Sequence, residues 1–245
     1  GTSTSTFSQI EHIKLGSGKD IVNASTLLVG VGIDVDGGAG ADAITGGAGN
    51  DIFIGGSGDD VLTAFYFNSY RIFAGNGADI ITVGGRDDFV TLTESVKSSD
   101  KVIIPGADDA STWTLMDNVI GFDVTGTITN DKLDLPSAAI VADTNGFVNG
   151  MDAGSIKSHS ISNGIITFGA TNTGASIVIN ESNITDVINY LASNFATPGL
   201  AAGIEVDTDA NNYADSLIVY QHQGGDVEDI VIMLSGVTGV TLGNS

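Results

Sequence analysis

Between residues 37 and 63 the large apolar residues Ile44, Phe53 and Leu62 recur at every ninth position, each two places after an aspartate. Three nonamers follow one another without a gap. The first is Gly37-Gly38-Ala-Gly40-Ala-Asp42-Ala-Ile44-Thr45, the second Gly46-Gly47-Ala-Gly49-Asn-Asp51-Ile-Phe53-Ile54, and the third Gly55-Gly56-Ser-Gly58-Asp-Asp60-Val-Leu62-Thr63. The three residues centred on the apolar position predict a very short strand, its middle side chain inward and its neighbours outward. The glycine-rich half predicts a tight turn, because glycine permits backbone conformations that a Cβ forbids. Two nonamers then make one turn of a flattened parallel coil, with its apolar residues stacked in a narrow core. Such a core is too thin to stand alone.

Weaker copies flank this run. Ala74-Gly75-Asn-Gly77-Ala-Asp79-Ile-Ile81-Thr82 has Ala in the first place, and Val83-Gly84-Gly-Arg86-Asp-Asp88-Phe-Val90-Thr91 keeps one glycine, the aspartate and the apolar position. Upstream, Leu15–Asn23 is a half-kept copy, and Gly30–Asp34 is another, one residue out of phase. The stretch Ala64–Phe73 fills about one repeat length without Gly or Asp, and its aromatics (Phe65, Tyr66, Phe67, Tyr70, Phe73) are expected to pack in the core or cap the coil.

Beyond residue 91 the pattern changes to short apolar runs in polar loops, at Lys101–Ile104, Asn118–Phe122, Gly164–Phe168 and Ser176–Ile179, which predict strands. One helix is expected near 182–195, with apolar residues at Ile184, Val187, Ile188, Leu191 and Phe195, Ser182 as its cap and Pro198-Gly199 beyond its end. Runs at 215–221 and 228–234 around Gly224-Gly225 predict a hairpin, followed by an apolar tail at 236–242. The expected fold is mainly β: degenerate repeats over 1–36, a parallel β-roll over 37–91, and a β-rich sandwich or coil domain with one short helix over 92–245.

Charge sharpens this picture. Lys and Arg number 8 and Asp and Glu 30, for a net charge of −22 across 245 residues. Nucleic acid and anionic membrane surfaces need positive patches, so neither is expected as a partner. No apolar run is long enough for a membrane span. Among the acids, 25 are Asp and only 5 are Glu. Residues 18 apart in the coil lie on one edge, so Asp42 and Asp60 face one another, with Asp79 next if one extra residue is looped out. Asp51 and Asp88 belong to the opposite edge. Rows of carboxylates at stacking distance repel. A hard cation between turns reverses the sign: Ca²⁺ accepts six to eight oxygens, backbone carbonyls included, whereas Mg²⁺ demands a tighter octahedron.

The nonamers closely resemble the RTX (repeats-in-toxin) calcium-binding nonapeptide family, over 37–63 and, with the degenerate copies, about 15–91. The resemblance implies several Ca²⁺ ions, held by Asp42, Asp51, Asp60, Asp79 and Asp88 and by carbonyls of turns lined by Gly37, Gly38, Gly40, Gly46, Gly47, Gly49, Gly55, Gly56 and Gly58. Arg86, a cation in a glycine place, weakens the last site. The resemblance also implies type I secretion in an unfolded state, with a C-terminal signal in the terminal hairpin, and folding outside the cell. The absence of cysteine and of a basic-then-apolar start agrees with that route. Lacking an initiator Met, the chain is expected to be a fragment or a processed product.

No catalytic motif is found. His12, His159 and His222 are isolated in sequence, and neither a zinc-protease helix motif nor a serine elbow occurs. Enzymatic activity is not expected. Trp113 carries no signal of its own. The acidic loop Asp207-Thr-Asp209-Ala-Asn211…Asp215 resembles the start of an EF-hand loop but lacks its central Gly and terminal Glu, so it reads as a solvated turn, with one more calcium ion as the alternative. The role expected on this reading is an extracellular structural one, the C-terminal part of an S-layer or other surface protein that folds and assembles with calcium. The alternatives are the secretion domain of an RTX hydrolase or toxin, and an adhesin domain that binds a ligand.

Overall fold

The computed structural model describes residues 12–64, 68–106, 116–125, 130–136, 139–223 and 229–242. The chain begins as a coil of very short strands that alternate between two parallel sheets. One sheet stacks β1 (His12–Lys14), β3 (Asp34–Asp36), β5 (Ile52–Ser57), β7 (Arg71–Asn76), β9 (Phe89–Thr91) and β11 (Asp117–Ile120). The other stacks β2 (Ile21–Asn23), β4 (Ala43–Thr45), β6 (Val61–Thr63), β8 (Ile80–Thr82), β10 (Lys101–Ile103) and β12 (Lys132–Asp134). This is the β-roll expected from the repeats, and the protein is mainly β with one helix among the described residues.

The register places each repeat's apolar residue on the next. Val22, Ile44, Leu62, Ile81, Val102 and Leu133 pair in sequence in the second sheet. Ile13, Val35, Phe53, Ile72, Val90 and Val119 do so in the first. From Val35 and Ile44 as far as Val102 and Val119, these side chains are essentially inaccessible to solvent. The two ladders face each other and form the narrow core.

The coil does not stop at the expected boundary of residue 91. Strands β10, β11 and β12 continue it, with longer connections between coils. It then passes directly into the C-terminal part, because β11 pairs in parallel with β19 (Ile230–Ser235), setting Val119 beside Leu234. The first sheet thus extends through β19, β18 (Ser216–Gln221), β17 (Leu200–Val206), β16 (Ile165–Gly169), β15 (Ile156–Ser162) and β14 (Val148–Ala153), with β13 (Ala139–Ile140) also paired to β17. Strands β18 and β19 form the expected antiparallel hairpin; its Gly224-Gly225 turn lies outside the described residues, as do Phe65, Tyr66, Phe67 and Trp113.

All six residues of β18 are buried, because each face of the sheet meets a different core. Leu217 and Val219 join the core of the roll, while Ile218 and Tyr220 join a second core under the helix. That helix, α1 (Ile184–Asn194), buries Ile184, Val187, Ile188, Tyr190 and Leu191, the face that its apolar spacing indicates. Ser182 does not cap it. Asn183 takes the cap position without a side-chain bond to the helix, and the Ser182 hydroxyl donates to Asn180 Oδ1 instead. The run Ser176–Ile179 is not a strand: isolated bridges tie Ser176 to Gly169 and Asn180 to Asp207, so the segment crosses between strands rather than running beside one.

The stacked core predicts a strong response to truncation. Leu62→Ala removes a side chain packed between Ile44 and Ile81 and should destabilise the calcium-loaded protein by about 2–5 kcal/mol, measured by urea unfolding; a change under about 0.5 kcal/mol, ordinary for a surface site, would contradict the stacking.

Candidate metal centre

Each aspartate of the repeat stands immediately before a strand of the roll, and its carboxylate reaches back to the preceding coil. On one edge, Asp42 Oδ1 accepts from the Asp20 main-chain N–H (2.8 Å) and Asp60 Oδ1 from that of Asp42 (2.8 Å). Asp79 Oδ1 accepts from Asp60 (2.8 Å), Asp100 Oδ1 from Asp79 (2.9 Å) and Asp131 Oδ1 from Asp100 (2.9 Å). The ladder needs an acceptor before the strand and a free N–H at the same position one coil earlier, and the repeat supplies both. The one-residue offset expected at Asp79 is present, its partner lying 19 residues back rather than 18.

This ladder uses one oxygen per carboxylate. The other oxygens of Asp42, Asp60 and Asp79 are buried and meet no hydrogen-bond donor, although each residue is only 1% exposed. A buried carboxylate oxygen without a partner is expensive. A main-chain oxygen shares the space beside Asp42 Oδ2 and beside Asp60 Oδ2. A Cβ added at Gly37 would stand 2.6 Å from the Gly55 carbonyl oxygen and 2.8 Å from Asp42 Oδ2. One added at Gly55 would stand 2.2 Å from the Ala74 carbonyl oxygen and 2.5 Å from Asp60 Oδ2. The missing side chains therefore leave cradles whose nearest atoms are oxygens, which suit a hard cation. Gly38, Gly40, Gly56 and Gly58 carry φ values between +91° and +120°, which let the same turns stack closely; a Cβ on Gly56 would meet the Gly38 carbonyl oxygen at 2.1 Å.

The opposite edge is built differently. Asp51 Oδ1 accepts from the Ile33 N–H (2.9 Å), and its Oδ2 accepts from the Gly47 N–H (2.9 Å). Asp88 repeats this with Tyr70 N–H (2.8 Å) and Gly84 N–H (2.8 Å). Both oxygens are thus engaged within the turns. Tyr70 occupies the aspartate place of the intervening coil. Its hydroxyl donates to the Gly47 carbonyl (2.6 Å), and its ring packs at 5.8 Å from that of Phe53. The space beside Gly46 is consequently lined by Asp51 Oδ2, Phe53 and Tyr70. Gly47 and Gly49 take no left-handed conformation there, whereas Arg86 does, with φ of 78°.

Three ladder members lie beyond the repeats singled out in the sequence. Asp100 and Asp131 each precede a short strand and Asp117 opens one, and Asp117 Oδ1 accepts from the Asp88 N–H (2.8 Å). Their sequence signal is the retained second half of the repeat, an aspartate two places before Val102, Val119 or Leu133, after the glycine half is lost. The acidic loop at 207–215 is not a solvated turn throughout: Asp207 is 2% exposed, and its carboxylate accepts from the Asn211 and Asn212 N–H groups.

Burial raises the pKa of four acids on the first edge, Asp60, Asp79, Asp100 and Asp131. Asp60 is pushed up to about 6, and Asp79 and Asp100 to about 7, from 3.8 for an ordinary aspartate, with neighbouring carboxylates adding to the effect. A raised acid pKa means that the metal-free folded coil holds protons that the unfolded chain releases. Its stability therefore rises as pH falls from about 7 towards 4 and is lost as pH rises through about 7. A cation competes with those protons. Urea unfolding in chelator should show a more stable protein at about pH 5 than at about pH 8, and calcium should reverse that order; pH-independent midpoints would contradict it.

The comparisons agree with this geometry. The RTX calcium-binding nonapeptide repeat, in four copies, matches residues 34–63 and 71–91. Among curated proteins no match is found. Residues 34–63 and 71–91 thus carry RTX calcium-binding nonapeptide repeats, and their number implies several Ca²⁺ ions.

Proposed function

We propose that the protein is a calcium-clasped structural module that folds outside the cell and serves at a bacterial surface, as in an S-layer. The observation that carries this reading is the row of donorless oxygens on Asp42, Asp60 and Asp79, the first two beside the carbonyls of Gly55 and Ala74. These residues would hold the ions, and calcium would supply the positive charge that lets buried carboxylates stack. Asp51 and Asp88 are weaker candidates, since Gly47 and Gly84 already donate to them. Arriving unfolded by type I secretion suits such a chain: without calcium the row repels itself, and with extracellular calcium it closes.

A non-enzymatic role is part of the proposal. His159 is buried against Tyr190, with Nδ1 2.9 Å from its hydroxyl, and His222 pairs with Asp229 at 2.9 Å. Both imidazoles serve packing or turn formation. No helix among the described residues is long and apolar enough to cross a membrane.

Circular dichroism and light scattering, followed together while calcium is added to chelator-treated protein, test this. Calcium, and not magnesium, should raise the β-signal cooperatively, with ordered particle growth. Asp60→Asn should weaken the response by about tenfold in calcium concentration. Folding without growth would contradict the surface-assembly role and favour a secretion domain. No calcium response would contradict the metal row itself.

A further inference from the structure

The row of carboxylates continues past the repeats at a place where the turn is no longer glycine-rich. Residues 92–99 connect β9 to β10 with no glycine, so the arrangement of Gly37 or Gly55 cannot recur there. The turn is nonetheless docked on the preceding one. Ser95 N–H and hydroxyl both reach Asn76 Oδ1, at 2.9 and 2.6 Å, and the Ser98 hydroxyl lies 2.7 Å from the Gly77 carbonyl oxygen. This docking carries Glu94 inward. Its carboxylate is fixed by the Ser98 N–H at 2.7 Å and by the Ser98 hydroxyl. Asp79, Glu94 and Asp100 then bring one carboxylate oxygen each within 4.8 Å of one another.

Two further observations point to a ligand there. Asp79 is 1% exposed and its Oδ2 has no hydrogen-bond donor. The lysines nearest in sequence are engaged elsewhere, Lys97 with Asp123 and Lys101 with Asp134, both at 2.6 Å. Three acids converge where no basic side chain answers them among the described ion pairs.

We propose that Asp79, Glu94 and Asp100 form a terminal calcium site of the row, in which a glutamate side chain from outside the nonapeptides replaces the glycine carbonyls. Glu94 and Asp100 lie beyond the residues that match the repeat. An all-oxygen set of three carboxylates is a hard-cation site, and its irregular origin suits the flexible coordination of Ca²⁺ better than the strict octahedron of Mg²⁺. The site would lock the degenerate coils to the regular ones, so that the roll continues where its repeat has decayed. The proposal rests on the calcium reading of the repeats.

The test is the number of Ca²⁺ ions bound by the full chain, counted by equilibrium dialysis at about pH 8, above the raised aspartate pKa values. Glu94→Gln should lose one ion, or weaken one site by at least about tenfold, while the other ions and the calcium-induced β-signal remain. Glu94→Asp, which keeps the charge on a shorter stem, should fold and bind the full number with one site weakened. An unchanged count and affinity in Glu94→Gln would overturn the terminal site and leave the repeat reading intact. Equal loss in both variants would also overturn it, since the charge would then not matter. A wild-type chain that binds no calcium would overturn both readings.

Discussion

The structure depends on how an aspartate shares its two oxygens between coils. Oδ1 takes the main-chain N–H of the aspartate one coil earlier, which fixes the register of the stack. That bond holds the carboxylate inside, at 1% exposure, and leaves Oδ2 of Asp42, Asp60 and Asp79 facing oxygens. Geometry and charge therefore pull in opposite directions. The hydrogen bonds favour the closed coil, while like charges in a poorly solvated row oppose it. A divalent cation removes the conflict, and so does a proton, which is why burial pushes Asp79 and Asp100 up to about 7. At calcium concentrations 100-fold above its dissociation constant, one ion adds about 2.7 kcal/mol to the folded state. Several such ions are comparable with the whole stability of a domain.

The two edges solve the same problem with different chemistry. Where the first edge leaves oxygen cradles, the second closes its turns with Gly47 and Gly84 N–H groups and fills one place with Tyr70. The tyrosine hydroxyl satisfies the Gly47 carbonyl, and its ring extends the apolar stack beside Phe53. One coil is thereby joined without an aspartate. At the far end the first sheet of the roll does not end in an open edge, because β19 pairs with β11 and lays Leu234 on Val119. Ser235 also donates to Asn118 Oδ1 across 117 residues of sequence. The coil and the helix-backed part are thus joined through one continuous sheet.

The regular coils were legible because both halves of the repeat are local: glycines set the turn, and Asp42 with Ile44 or Asp60 with Leu62 sets the strand. The coils at β10, β11 and β12 were harder to see, since their connections lengthen and lose glycine, although the aspartate–apolar spacing at Asp100–Val102 and Asp117–Val119 survives. The helix was legible from its apolar spacing, but its cap was not, because Asn180 competes for the Ser182 hydroxyl. The β18–β19 hairpin was legible and its parallel docking on β11 was not, because that register depends on residues far apart in the chain. Among the site residues, the equivalence of the two edges was a reasonable inference from period alone. Tyr70 in an aspartate place breaks it, and Glu94 comes from no repeat.

The most direct test of the account is hydrogen–deuterium exchange of the ladder amides, those of Asp42, Asp60 and Asp79, with calcium and with chelator at about pH 8, above the raised pKa values. If a cation is what allows the buried row to close, these amides exchange slowly only when calcium is present, and those of the helix α1 core change less. Equal protection in chelator would show that the hydrogen-bond ladder closes unaided, and would contradict the central role given to the metal.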